Sequence, residues 1–244
     1  MTTQAAVRRP TRRQFVPPQH GAWAMLLLPY LAGVLVAGFR WPDLPLLGAW
    51  LAGYLLSYFA LQAIKTRRPQ RFRQQLSWYA PIAAALALTV VVACPRVLFF
   101  APVYALLLVV NARYAVRRRE RALVNDLVSV LQSCLMVFVV AVVAGQSPAR
   151  VLPAFLVVLL YFVGTVLYVK TMIRERGSRL YRRASIAYAA LATVAGAALG
   201  PVPGAVFALL LLRAWLLPRY PLSPKQVGVV EIAASVLVLV AAVV

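Results

Sequence analysis

The stretch "ALVNDLVSVLQSCLMVFVVAVVA" (residues 122–144) sets the class of fold. It is 23 residues long, follows a run of arginines, and carries no charge after Asp126. A helix that crosses the hydrocarbon core of a bilayer needs about 20 mostly apolar residues, within a range of about 17–25. This stretch has that length and that polarity, so it reads as a membrane span.

The same pattern repeats outward in both directions. Reading between charge clusters gives nine apolar segments: 22–39, 44–64, 77–94, 97–112, 122–144, 151–170, 184–200, 202–217 and 227–244. The fourth and eighth are short for a full crossing. Composition agrees, with 63% hydrophobic residues, only 13% charged, and a mean hydropathy of +0.82. Soluble domains carry about a quarter charged residues, and one aqueous core cannot bury this excess. The predicted fold is all-α, a polytopic transmembrane helical bundle of about nine spans. Residues 1–21 form a basic tail, and 22–244 form a single transmembrane domain.

Charge sets the orientation. The chain has 26 Lys+Arg against 5 Asp+Glu, a formal net charge of +21. A nucleic-acid partner is excluded by arrangement, because the cations lie in short clusters between apolar runs. Twenty-three of the 26 fall on alternate connections: the N-terminal tail, 65–73, 113–121, 170–183 and 213–225. The other connections hold only Arg40, Arg96 and Arg150. Positive residues in short loops stay cytoplasmic, which puts the N-terminus inside and the C-terminus outside. "TRRQFV" (11–16) has the look of a twin-arginine export signal, but the eight further apolar segments make it the flank of a first span. Cys94 and Cys134 lie in separate apolar segments and read as small core residues.

Costly polar residues gather at the basic ends. His20, the only histidine, stands at the mouth of the first span. Lys65, Asn111, Asn125, Asp126, Lys170 and Lys225 lie at comparable depth on other segments. Glu231 lies six residues beyond Lys225, about 9 Å deeper along a helix. A mid-span carboxylate faces a cation, a proton or water. In "KTMIRERGSRLY" (170–181), helical spacing puts Lys170 and Arg174 on one face and offers Glu175 to Arg179. In "RRRERALVND" (117–126), the same spacing lines up Arg117, Arg121 and Asn125.

"HGAWAMLLLPYLAG" (20–33), "YVKTMIRER" (168–176) and "PKQVGVVEIA" (224–233) resemble the YwiC-like family of bacterial integral membrane proteins. That resemblance implies a multi-pass protein of a bacterial cell (inner) membrane and brings no activity with it. A weaker resemblance is to the UbiA-type prenyltransferases, which implies nine spans and a cavity open to the cytoplasm. Those enzymes hold a prenyl diphosphate through Mg²⁺ on two Asp-rich motifs. Here "KTRRPQRFRQQ" (65–75) has no carboxylate, and Ser129 and Ser133 follow Asp126 where further aspartates would fall. No cofactor is evident, and Mg²⁺ is disfavoured because a hard cation needs carboxylates.

Three functional classes follow. The first is a UbiA-like, degenerate prenyl or lipid-phosphate transferase with a cationic cytoplasmic cavity. Its anion would lie on Lys65, Lys170 and Arg174, with Asn111, Asn125 and Lys225 lining the same site. Asp126 or Glu231 would be the base, and His20 would orient the acceptor or shuttle a proton. The second is a carrier or lipid-binding protein without catalysis, gated by Glu231 and His20. The third is a structural membrane partner. The expected partners are membrane lipids, an isoprenoid or other anionic lipid among them.

Overall fold

The computed structural model describes residues 15–17 and 20–244 of the chain. Residues 1–14 and 18–19, and the side chains of residues 20 and 21, fall outside that description. Nine helices are present among the described residues. They are α1 (His20–Ala37), α2 (Asp43–Thr66), α3 (Arg73–Ala93), α4 (Ala101–Val116), α5 (Leu123–Val143), α6 (Pro148–Val169), α7 (Arg179–Leu199), α8 (Pro201–Leu216) and α9 (Pro224–Val243). No strand occurs among the described residues. Seven of these segments, α2–α6, α8 and α9, are long and apolar enough to cross a membrane. Helix α1 is apolar but shorter over its described part. Helix α7 starts among arginines, so its first turns are polar. The chain is therefore an all-helical, multi-pass membrane protein.

Several boundaries differ from the sequence reading by a few residues, and two of them are instructive. The fourth span begins with a 3₁₀ stretch, Pro95–Phe100, and its α-helix starts only at Ala101. The seventh starts at Arg179 instead of 184, because the Ser178 side chain accepts from the Tyr181 N–H and caps the helix there. Hydropathy marks where hydrocarbon begins, whereas a cap marks where the backbone begins to coil. The two need not coincide.

Helices α5 and α6 occupy the centre. Val130, Cys134, Val137 and Ala141 of α5 meet Val151, Val157, Val158 and Phe162 of α6 in one buried cluster. The cluster extends to Leu28 and Ala32 of α1, Phe207 of α8 and Val238 of α9. Helices α3 and α4 lie at the rim, with Leu88, Val92, Leu106 and Val109 exposed. Apolar side chains exposed in this way are solvated by lipid in a membrane protein. Helices α7 and α8 form a tight hairpin in which small residues let the backbones approach. A Cβ built on Gly196 meets Phe207 at 2.5 Å, and one on Gly204 meets the Ala197 Cα at 3.0 Å. Close backbone approach through small residues is how helices associate where lipid removes the hydrophobic drive between them.

Helix α1 is docked through its proline. Pro29 has no N–H, so the Met25 carbonyl four residues earlier loses its helical donor. The Ser133 hydroxyl of α5 donates to that carbonyl instead. One residue along, the Trp50 indole N–H of α2 donates to the Leu26 carbonyl at 3.1 Å. The defect thus becomes the point where α2 and α5 grip α1. At the opposite end from the basic connections, the Asp43 carboxylate accepts from the Arg40 N–H at 2.7 Å, and the Tyr30 hydroxyl donates to the Asp43 carbonyl at 2.9 Å. This closes the α1–α2 turn.

Candidate functional site

Most of the sequence-selected polar residues meet around the connector between α4 and α5. The chain leaves α4 at Val116, turns through Arg118 in a left-handed conformation (φ 54°), and enters α5 at Leu123. This break means that Arg117, Arg121 and Asn125 do not share one helical stripe. Asp126, in the first turn of α5, receives Lys170 Nζ on its carboxylate at 2.7 Å, with Arg174 Nη1 at 3.9 Å. Lys170 Nζ also donates to the Arg121 carbonyl at 2.7 Å. The lysine is 5% exposed, so both its partners are needed to offset its desolvation. Lys65 pairs with Glu120 at 2.8 Å, and the Asn125 side-chain amide donates to the Glu120 carbonyl at 2.9 Å. Asn111 joins from α4, donating to Gln132 at 2.9 Å while the Ser129 hydroxyl points to its oxygen at 3.4 Å.

Asp126, Lys170 and Arg174 are therefore brought together, with Lys65 of α2 and Asn125 of α5 both bonded to Glu120 of the connector and Asn111 of α4 nearby. Lys225 is exposed at the start of α9 and makes no ion pair among the described residues. The side chain of His20 lies outside the described residues.

Helix α6 does not simply end. Lys170–Arg174 form a π turn, closed by the Glu175 N–H donating to the Lys170 carbonyl at 2.7 Å. Gly177 (φ 88°) then reverses the chain into Ser178 and α7. Glu175 and Arg179 consequently fall on different elements and form no ion pair. Between the π turn, the first turns of α7 and the segment after α8 lies a cavity of about 470 Å³. Arg176, Arg179, Arg182 and Arg183 line it, together with Thr171, Met172 and Tyr220, and no carboxylate does. The sequence reading had favoured Lys170 and Arg174 in this stretch and passed over these four arginines. Only the chain reversal, which helical arithmetic ran straight through, gathers them.

Glu231 stands elsewhere. Its carboxylate meets Arg213 Nη1 of α8 at 2.5 Å, with the two side chains 13% and 9% exposed. The Thr165 hydroxyl donates to its second oxygen at 2.9 Å, and Tyr161 Oη lies 3.2 Å from the same atom and 3.0 Å from Ser235 Oγ. The Tyr168 ring faces the Arg213 guanidinium at 4.2 Å. Arg213, Tyr161, Thr165 and Ser235 had not been selected from sequence. A charge within the eighth apolar segment, and hydroxyls four residues apart on apolar helices, were the available signals. Among the described residues, no three His, Cys, Asp or Glu side chains gather as a metal site.

These features define a polytopic helical membrane protein whose charged groups collect at one end of the bundle and in a seam between α6, α7, α8 and α9. The chain belongs to the YwiC-like family: residues 16–141 match the family model described as YwiC-like protein. It is 30% identical over 224 residues to the uncharacterized protein YwiC of Bacillus subtilis (strain 168), an alignment covering 90% of this chain and 93% of that protein. It is also 30% identical over 223 residues to an uncharacterized protein of Haemophilus influenzae, covering 88% and 91%. No solved structure matches the chain.

Proposed function

We propose that this protein sits in the bacterial inner membrane with its basic end in the cytoplasm and binds a phosphate-bearing amphiphile, an isoprenoid or other anionic lipid, without making or breaking covalent bonds. One observation carries the reading: the cavity at the basic end is lined by four arginines and no carboxylate. Guanidinium groups bind phosphate through paired N–H donors, and Thr171, Met172 and Tyr220 offer a less polar wall for the part next to the headgroup. Lys170, Arg174 and Asp126 then serve as positioning residues, fixing the π turn that carries Thr171 and Met172. The split of 23 cations against three across the alternate connections supports the orientation.

The carrier reading is preferred to the transferase reading because the candidate bases are engaged elsewhere. Asp126 is held by Lys170 and Glu231 by Arg213, and neither lines the cavity. The test is to purify the full chain in mild detergent and extract its retained lipids for mass spectrometry. A phosphate-bearing lipid near one per chain, lost in the Arg179→Gln/Arg182→Gln double variant, supports binding in the cavity. Competition by inorganic phosphate alone would assign the site to free phosphate instead. Conversion of the retained lipid on incubation would restore the transferase. An identical lipid profile in both proteins overturns the reading.

A further inference from the structure

The Arg213–Glu231 pair lies on the same seam as the arginine cavity, deeper in the bundle. A second, much smaller cavity of about 10 Å³ is lined by Tyr161 and Gly164 of α6, Ser185 and Tyr188 of α7, and Arg213 of α8. That is room for about one water molecule. The outer cavity is lined by residues one to two turns nearer the surface on the same elements: Thr171 and Met172, then Arg179 and Arg182, then Pro218. A buried cluster of Tyr168, Met172, Ala214 and Val227 touches both, with Met172 lining the outer cavity and Ala214 the inner one. Arg213 precedes Pro218 by five residues, about 7.5 Å of helix rise.

Arg213 is incompletely satisfied. Its Nε is buried without a partner, and so is the hydroxyl of Tyr168, whose ring lies against the guanidinium. A carboxylate and a guanidinium at this depth are costly to hold charged, and such residues mark ion or proton pathways. We propose that Glu231 is an exchangeable proton-binding site within the membrane, and that its protonation makes Arg213 available to the anion in the outer cavity. The proposal rests on the phosphate-binding reading above.

The step needs only a proton. A proton arriving through the water-sized cavity and Tyr161 binds a Glu231 oxygen, and the ion pair with Arg213 is lost. Arg213 keeps its positive charge without a counter-charge in a medium of low dielectric, and an anion one to two turns away then stabilises it. By linkage, the anion strengthens proton binding at Glu231 to the same degree. The groups facing Glu231 are few. Helix α6 contributes Tyr161, Thr165 and Tyr168, and α8 contributes Arg213. Helix α1, which also packs on α9, carries Tyr30, engaged on the Asp43 carbonyl, and His20, whose side chain lies outside the described residues. On α9 itself Lys225 is exposed and six residues away.

The test uses the full chain in phosphatidylcholine nanodiscs, with octane sulfonate as probe because its charge does not change between pH 5 and pH 8. The unmodified protein should bind the probe at least about fivefold more tightly at pH 5 than at pH 8, the lower end of ordinary coupling between sites. Glu231→Gln, which mimics the protonated acid, should bind at pH 8 with the pH 5 affinity. Arg182→Gln should weaken binding at both. Arg213→Gln/Glu231→Gln removes both charges together, and should bind weakly and independently of pH even if the single variant folds poorly. Binding that is independent of pH in the unmodified protein, yet still weakened by Arg182→Gln, overturns the coupling and leaves the arginine cavity standing. No binding at either pH removes the cavity reading and the coupling with it. An infrared carboxylic-acid C=O band that titrates in the unmodified protein and is absent in Glu231→Gln reports the proton site directly, and absence of that band overturns it.

Discussion

Replacing Ser133 by alanine isolates the interaction that docks α1. The Met25 carbonyl has no helical donor because Pro29 lacks an N–H, and the Ser133 hydroxyl takes that place. In Ser133→Ala the carbonyl is left between α1 and α5 without a protein donor. A buried acceptor left unsatisfied costs about 1–3 kcal/mol. Side-chain hydrogen bonds in membrane proteins average only about 0.6 kcal/mol, because the unfolded reference also finds partners. The proline decides between these figures. With it, the carbonyl has no fallback within its own helix, and we expect a loss near 2 kcal/mol, roughly mid-range for an orphaned acceptor. In a Pro29→Ala background the restored N–H satisfies the carbonyl internally, and Ser133→Ala should cost at most about 0.6 kcal/mol. The coupling is then about 1 kcal/mol or more, well within what contacting residues show. Reversible unfolding in mixed detergent–SDS micelles, run as a four-protein cycle, measures it. Because Pro29→Ala also trims a buried ring, the double variant is compared with that single variant. Equal costs of Ser133→Ala in both backgrounds would refute the reasoning.

Two further outcomes follow from the packing and the basic end. Gly196→Ala should lower the melting temperature of the α7–α8 hairpin, as overpacking costs about 1–3 kcal/mol, since its Cβ would sit 2.5 Å from Phe207. Gly53→Ala, whose Cβ meets nothing within 4 Å, should be neutral or stabilising on the same melt. Asp126→Asn should destabilise more than Glu120→Gln, because Lys170 is buried while Lys65 and Glu120 are each about a third exposed. Exposed pairs contribute about 0–1 kcal/mol, and Asp126, itself a quarter exposed, should fall short of the roughly 3–5 kcal/mol of a fully buried pair. Thermal unfolding of the two variants side by side checks the order.

The fold was largely legible because lipid imposes a length and a polarity on each crossing. All nine apolar segments became helices, and the errors lie where another force sets the end, as at the Ser178 cap. The site was legible in kind and less so in detail. Asp126, Lys170 and Arg174 stood out because charges beside apolar runs are costly. The four cavity arginines did not, because a π turn and Gly177 gather them, and neither leaves a periodic trace. Arg213 was counted with the connecting loops although it fell within an apolar segment. The reasoning that singled out Glu231 applied equally to its partner.

The fate of the carboxylates reaches beyond any one site. Of the five in the chain, Asp43 closes a turn, while Glu120, Asp126 and Glu231 are each committed to a cation of the protein itself. Among the described residues, neither Asp43 nor Glu175 makes a side-chain ion pair. The protein thus has almost no acid left with which to neutralise its own basic face. Counterions must come from outside, from headgroups of the surrounding leaflet or from solution, and the ionic strength of the medium becomes a partner in whatever this face binds.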